Sequence, residues 1–394
     1  MNTKKFDTVF VPTYAREGAP FTHGKGSYLF DSTGAAYLDF GSGIAVNALG
    51  HAHPALQKAL RTQGNALIHA SNLYFTQPQI DLAKLLVKHS FADRVFFCNS
   101  GTEANEAAIK FARKWARTIS PEKYHILSFT DGFHGRTYGA LSATAQEKFH
   151  AGFDPILNGF HYAPFNDMKA VRKLLRQYKF AAIFVEPLQG EGGINQATGE
   201  FLRFLRDIAT KHKCVLVFDE VQCGMGRTGT LWNYQQHKVI PDIMTLAKPL
   251  GGGLPLGAVV TRDEIALCIK PGDHGTTFGG NPVACALGIA TLSTVADRKF
   301  LADIRKKSTL LIEKLTALKP KFPAIEQVLG SGLLVGVRMK DDPSSIIAAC
   351  RKNGLLLIKA GHNTVRFIPP LTVKTAEIGR AVAIFKKVLI TIFQ

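Results

Sequence analysis

The chain has 394 residues, 46% hydrophobic and 20% charged, which fits a globular protein with a sizeable core and argues against disorder. The net charge of +18 admits two classes of partner, nucleic acid or small anions drawn in by a positive field. No aromatic-interleaved basic motif accompanies the charge, so nucleic acid is not expected, and no apolar run is long enough to span a bilayer, so neither is a membrane.

In chain order, "MNTKKFDTVFVPTYAREG" has no apolar stretch after its lysines. It does not read as a secretory signal, and a cytoplasmic location is expected. Residues 1–68 form an N-terminal segment with a hairpin in "GSYLFDSTGAAYLDF" and a helix after Pro54. Residues 69–290 form a large domain in which apolar strands alternate with helices. "RVFFCNSG", "YHILSF", "AAIFVEPL", "CVLVFDEV" and "DIMTLAK" read as buried strands; "TEANEAAIKFARKWAR", "MKAVRKLLRQYK" and "FLRFLRDIATKHK" read as helices. Residues 291–394 form a smaller C-terminal domain with a strand, "GLLVGVRM", and a last helix. In that helix Ile378, Ala381, Val382, Phe385, Val388 and Leu389 share one face. The fold class is therefore α/β, a mostly parallel central sheet covered by helices, with a smaller α+β domain from the N- and C-terminal parts and a ligand expected at the carboxyl ends of the strands. The six cysteines have no C-x-x-C spacing, and neither disulfides nor a metal are expected. His51 and His53 in "GHAHP" lack a third ligand nearby and read as structural.

Chemistry gathers at the strand ends. Ser100, Gly101 and Thr102 precede a helix, where free N–H groups and the helix dipole favour a phosphate. Alone, that turn is equally an ordinary cap with Thr102 as the capping residue. Phe133 follows another strand and can lie on a planar ring; Arg136 can fork onto a carboxylate. Asp219 and Lys248 end two successive strands, so both side chains can reach one pocket. A buried lysine has a depressed pKa and a reactive amine that forms a Schiff base with an aldehyde. Phosphate cradle, stacking aromatic, aspartate and lysine together describe a pyridoxal 5'-phosphate site. Pro249 is expected to push Lys248 out of the helical region into an extended turn.

The motifs "NSGTEANEAAIKFAR", "GFHGRT", "EPLQGEGG", "FDEVQCGMGRTG", "TLAKPLGGGLPLGA", "HGTTFGGNPVACA" and "VRFIPPL", in this order, resemble the class III aminotransferases of fold type I. The resemblance implies catalytic roles for Lys248 and Asp219, the latter on the pyridine nitrogen. It implies a cofactor pocket of Ser100, Gly101, Thr102, Phe133, His134, Val221 and Gln222, with Thr277 reaching the phosphate from the other subunit of a homodimer. It implies substrate contacts at Arg136, Thr276 and Arg366, with Glu191 pairing Arg366 when no dicarboxylate is bound. "SGIAVNALGHAHP" and "SNLYFTQPQIDLAKLL" resemble members that act on N-acetylornithine, with 2-oxoglutarate accepting and glutamate released, a step of arginine biosynthesis. Gly43 stands where members using free ornithine carry a tyrosine, which leaves room for an acylated amine. The alternative is a related ω-aminotransferase using succinyldiaminopimelate, succinylornithine, ornithine or 4-aminobutyrate.

Overall fold

Seven strands build the central sheet. They are β1 (Arg94–Cys98), β2 (His125–Phe129), β3 (Phe160–Ala163), β4 (Phe180–Val185), β5 (Val215–Asp219), β6 (Ile243–Leu246) and β7 (Gly257–Thr261). Their lateral order is β1-β7-β6-β5-β4-β2-β3. The pairs from β6 to β3 are parallel, and β7 alone runs antiparallel, to both β6 and β1. The structure, a computed structural model, describes residues 9–16 and 18–393. Residues 1–8 and 17 of the N-terminal stretch that does not read as a secretory signal lie outside the described residues.

Successive side chains of a strand face opposite ways, and β5 shows what that does here. Val215 and Val217 pack in a cluster with Ala104, Ala107, Ala108 and Phe111 of helix α1 (Gly101–Ile119). Leu216 and Phe218 pack on the other side with Phe201, Leu202 and Leu205 of helix α2 (Gly199–His212). Both faces are thus covered, which is why the strand is apolar at every position until Asp219. The alanine-rich face of α1 lets its backbone lie close to the sheet and carries its N-terminus to the carboxyl end of β1.

The hairpin Tyr28–Asp31 and Ala36–Asp39 forms as expected, and Leu355–Leu356 adds to it in parallel. N- and C-terminal parts of the chain therefore share a sheet. Another sheet holds Ile325–Ser331, Leu334–Met339, Thr364–Phe367 and Ile358–Ala360. The last helix, Thr375–Phe393, buries the six residues expected to share a face. His51 Nε2 lies 2.8 Å from Asp39 Oδ2, and His53 Nδ1 accepts the Ala55 N–H at 3.3 Å to cap the helix Pro54–Ala66. Among the described residues no helix is long and apolar enough to cross a membrane.

Candidate active site

Because β5 and β6 are parallel and adjacent, their carboxyl ends open side by side. A cavity of about 450 Å³ lies there, lined among others by Ser100, Thr102, Phe133, Asp219, Gln222 and Lys248. Two residues past β6, Lys248 opens a short 3-10 turn, Lys248–Gly251. Its φ of 46° is left-handed, not extended as the following proline suggested. Such a backbone costs a non-glycine residue about 1–2 kcal/mol, and here it aims the side chain into the cavity. Burial pushes the Lys248 ammonium down to about 8, with Asp219 pulling the other way and Arg366 adding to the depression.

The floor is a closed network around Asp219, which is 3% exposed. Oδ2 accepts from Asn105 Nδ2 and meets His134 Nδ1, both at 2.8 Å, while Oδ1 accepts the Val221 N–H at 3.0 Å. Burial alone would depress His134, but the hydrogen bond and charge of Asp219 outweigh it and raise the imidazole's pKa. Glu186 lies beside them; Oε1 accepts the Phe133 N–H at 2.8 Å and Oε2 the Gly190 N–H at 3.2 Å. Burial raises its pKa. Asn105 is a polar residue on the small, apolar face of α1. A polar residue on such a face is the sequence signal for a buried polar role, which the motif resemblance alone does not assign to Asn105.

At the phosphate end, Ser100 caps α1 by accepting the Glu103 N–H at 3.2 Å. Thr102 is therefore not the cap; it sits in the first turn. Its Oγ1 accepts the N–H groups of Arg136 (3.1 Å) and Thr137 (3.2 Å), stitching the 135–137 loop to the helix start. A Cβ at residue 101 would lie 2.8 Å from Val221 Cγ1, so only glycine keeps the backbone there open. Phe133 lies in the cavity wall with its ring edge-on to Phe149, and the Arg136 guanidinium sits 3.9 Å from the Phe149 centroid.

At the mouth, Arg366 pairs with Glu191 at 2.8 Å; their side chains are 1% and 34% exposed. Arg366 Nη2 donates to Lys359 O at 2.9 Å and Nη1 to Gln222 Oε1 at 3.2 Å, which leaves the Gln222 amide N–H2 for the cavity. The guanidinium is thus fixed and the carboxylate is the free partner. Thr276 Oγ1 accepts from Asn99 Nδ2 at 3.1 Å, next to the cavity. Thr277 and Gly43 are exposed and outside the cavity wall; Val46, three residues after Gly43, lines it. Val46 and Asn99 lie within the stretches "SGIAVNALGHAHP" and "NSGTEANEAAIKFAR", which by themselves single out neither as a site residue.

A parallel-stranded sheet with a phosphate-type helix start, a buried aspartate and a depressed lysine at its carboxyl edge defines a fold type I transferase. The family model for aminotransferase class-III matches residues 13–389, and the chain belongs to that family. It is 47% identical to the acetylornithine aminotransferase of Caldanaerobacter subterraneus subsp. tengcongensis, over 96% of both chains. An ornithine aminotransferase structure from Toxoplasma gondii, described with partially occupied PLP at its active site, superposes with a TM-score of 0.93 at 31% identity, covering 98% of this chain and 94% of that one. The N-acetylornithine aminotransferase of Stenotrophomonas maltophilia K279a superposes with a TM-score of 0.85 at 33% identity, covering 98% of each.

Proposed function

We propose that the chain is a pyridoxal 5'-phosphate-dependent aminotransferase that moves the terminal amino group of N-acetylornithine to 2-oxoglutarate. The products are N-acetylglutamate 5-semialdehyde and glutamate. The observation that carries the reading is the Arg366–Glu191 pair, a fixed cation with a movable cover beside a depressed lysine. The 47% identity to an acetylornithine aminotransferase supports the substrate.

The residues present fit the cofactor. Asp219 would hold the ring nitrogen's proton, with Asn105 and His134 fixing the carboxylate. The open N–H groups at Gly101 and Thr102 would take the phosphate, Phe133 would face the ring, and the Gln222 amide would donate to the 3'-oxygen. When bound, pyridoxal phosphate supplies an aldehyde that condenses with amines and a protonated ring that withdraws electrons from the substrate carbon. Lys248 Nζ, with its pKa near 8, is poised to take a proton from the carbon bearing the amino group and to give it back elsewhere. Arg136, held over Phe149, forks a substrate carboxylate. While the acylated donor reacts, Glu191 covers Arg366. When 2-oxoglutarate enters, its carboxylate replaces Glu191 on the guanidinium.

The site is completed in a homodimer. Ile68, Leu73, Tyr74, Phe75 and Phe278 are exposed apolar residues, and Asn72 ties their segment to Thr276 O at 2.9 Å. A second copy on this rim would receive Thr277 at its phosphate end. The free cysteines suit a cytoplasmic location.

The test is a half-reaction. N-acetylornithine, ornithine, 4-aminobutyrate or succinyldiaminopimelate is added separately to the holoprotein without keto acid, and loss of the yellow absorbance is followed. Fastest bleaching by N-acetylornithine is expected. Faster bleaching by any of the others moves the assignment to that amine.

A further inference from the structure

Farther along α1, Lys110, Arg113, Lys114 and Arg117 lie at i, i+3, i+4 and i+7. Cations at this spacing are neighbours on one helix face and repel. They line a cleft of about 450 Å³ walled by Tyr124, Asn158, Asp273 and His274. Asp273, the one carboxylate in that wall, is taken by Lys114. Among the described residues Lys110, Arg113 and Arg117 make no ion pair.

Arg113 is the built part of the cleft. It is half-buried, and two backbone carbonyls hold its fork in place: Nε donates to Tyr124 O at 2.8 Å and Nη2 to Asn158 O at 3.3 Å. Burial first and the Arg117 charge second push its guanidinium below the usual value. Lys110 Nζ is fixed as well, 2.8 Å from His274 Nδ1 and 3.2 Å from Asp273 O. Two cations are therefore held by neutral acceptors, with two more beside them; the cleft wall offers one carboxylate, and Glu106, one turn before Lys110 on α1, adds a pull on Arg113 that ranks below the burial and the Arg117 charge.

We propose that this cleft binds an anion built of two or three linked phosphoryl groups. The stripe spans about 10 Å of helix, more than one phosphate covers and suited to a short phosphoryl chain. Arginine forks and lysine point charges are matched to phosphoryl oxygens. Inorganic tripolyphosphate and a nucleoside triphosphate share that chemistry. Only the second has a base to lay against the Tyr124 wall.

Calorimetric titration of the holoprotein in a phosphate-free chloride buffer tests the site, because the cofactor already fills the active-site cradle. Tripolyphosphate binds once per chain, and ATP competes with it. Equal affinities assign recognition to the phosphoryl chain, and tighter ATP assigns part of it to Tyr124. Arg113→Gln weakens tripolyphosphate by about tenfold or more. The double variant Lys110→Gln/Arg117→Gln, which leaves the carbonyl-held Arg113 in place, weakens it by about tenfold or more too, with transamination unchanged. The proposal is overturned by no heat at millimolar tripolyphosphate or by wild-type binding in the double variant. It is also overturned by an oligonucleotide that binds these residues when neither phosphoryl chain does.

Discussion

The floor and the mouth of the cavity are built on opposite plans. At the floor, Asp219 is almost wholly buried, and Asn105, His134 and the Val221 N–H converge on its two oxygens. At the mouth, Arg366 is as buried as Asp219, but its partner Glu191 keeps about a third of its side chain in solvent (34%). A buried, fully bonded carboxylate cannot move without stranding its donors. A half-exposed one can exchange its partner for water or for substrate. The difference separates what both half-reactions need alike from what changes between them.

The comparison breaks first at Lys248, between the two regions. Lys248→Ala lowers kcat by about 10⁴-fold, checked by single turnover, while the floor still holds cofactor. If floor rigidity matters as described, Asp219→Asn comes next. It costs about 10²–10³-fold in kcat, and it removes the charge that keeps His134 raised, which a histidine NMR titration reads as a fall in its pKa. Arg366→Gln separates the half-reactions. KM for 2-oxoglutarate rises by about 10–100-fold, the value of a charge-assisted hydrogen bond, while bleaching by N-acetylornithine changes by less than about threefold. Glu191→Gln is the mildest. It leaves Arg366 uncovered, so glutamate binds about threefold more tightly and N-acetylornithine turns over more slowly. The pH dependence of cofactor capture by the apoprotein reports Lys248 directly. Below about 8 the amine is protonated, so the capture rate climbs with pH and levels off above that value.

Much of the site was legible because sheet geometry and motif spacing agree. An apolar strand that ends in Asp219 and a neighbouring one that ends near Lys248 place both at one edge, whatever the loops do. The six buried positions of Thr375–Phe393 followed from helical period alone. Loop backbone was harder. Pro249 rightly excluded a right-handed helix for Lys248, but the extended turn expected there is not what forms: the structure takes the left-handed backbone, which a following proline also permits. Ser100 and Thr102 are both able to cap; which does so depends on where α1 begins, and the Glu103 N–H settles it for Ser100. Arg366 and Glu191 are distant in sequence, and their meeting rests on how the strand Thr364–Phe367 lies against the 190–191 loop, which local pattern does not encode.

The antiparallel strand β7 has a consequence for how the protein is made. It pairs Gly257 with Cys98, and a Cβ at Gly257 would stand 2.4 Å from Ser100 O, so it is wedged between the lysine turn and the phosphate cradle. Its partners β1 and β6 are synthesised before it, and neither can meet the other until it arrives. A ribosome-bound chain halted before residue 257 therefore carries the phosphate cradle and the lysine turn without the strand that joins them. Its competence to retain cofactor should appear only after β7 has left the ribosome and paired with both neighbours, late rather than stepwise as the earlier strands form.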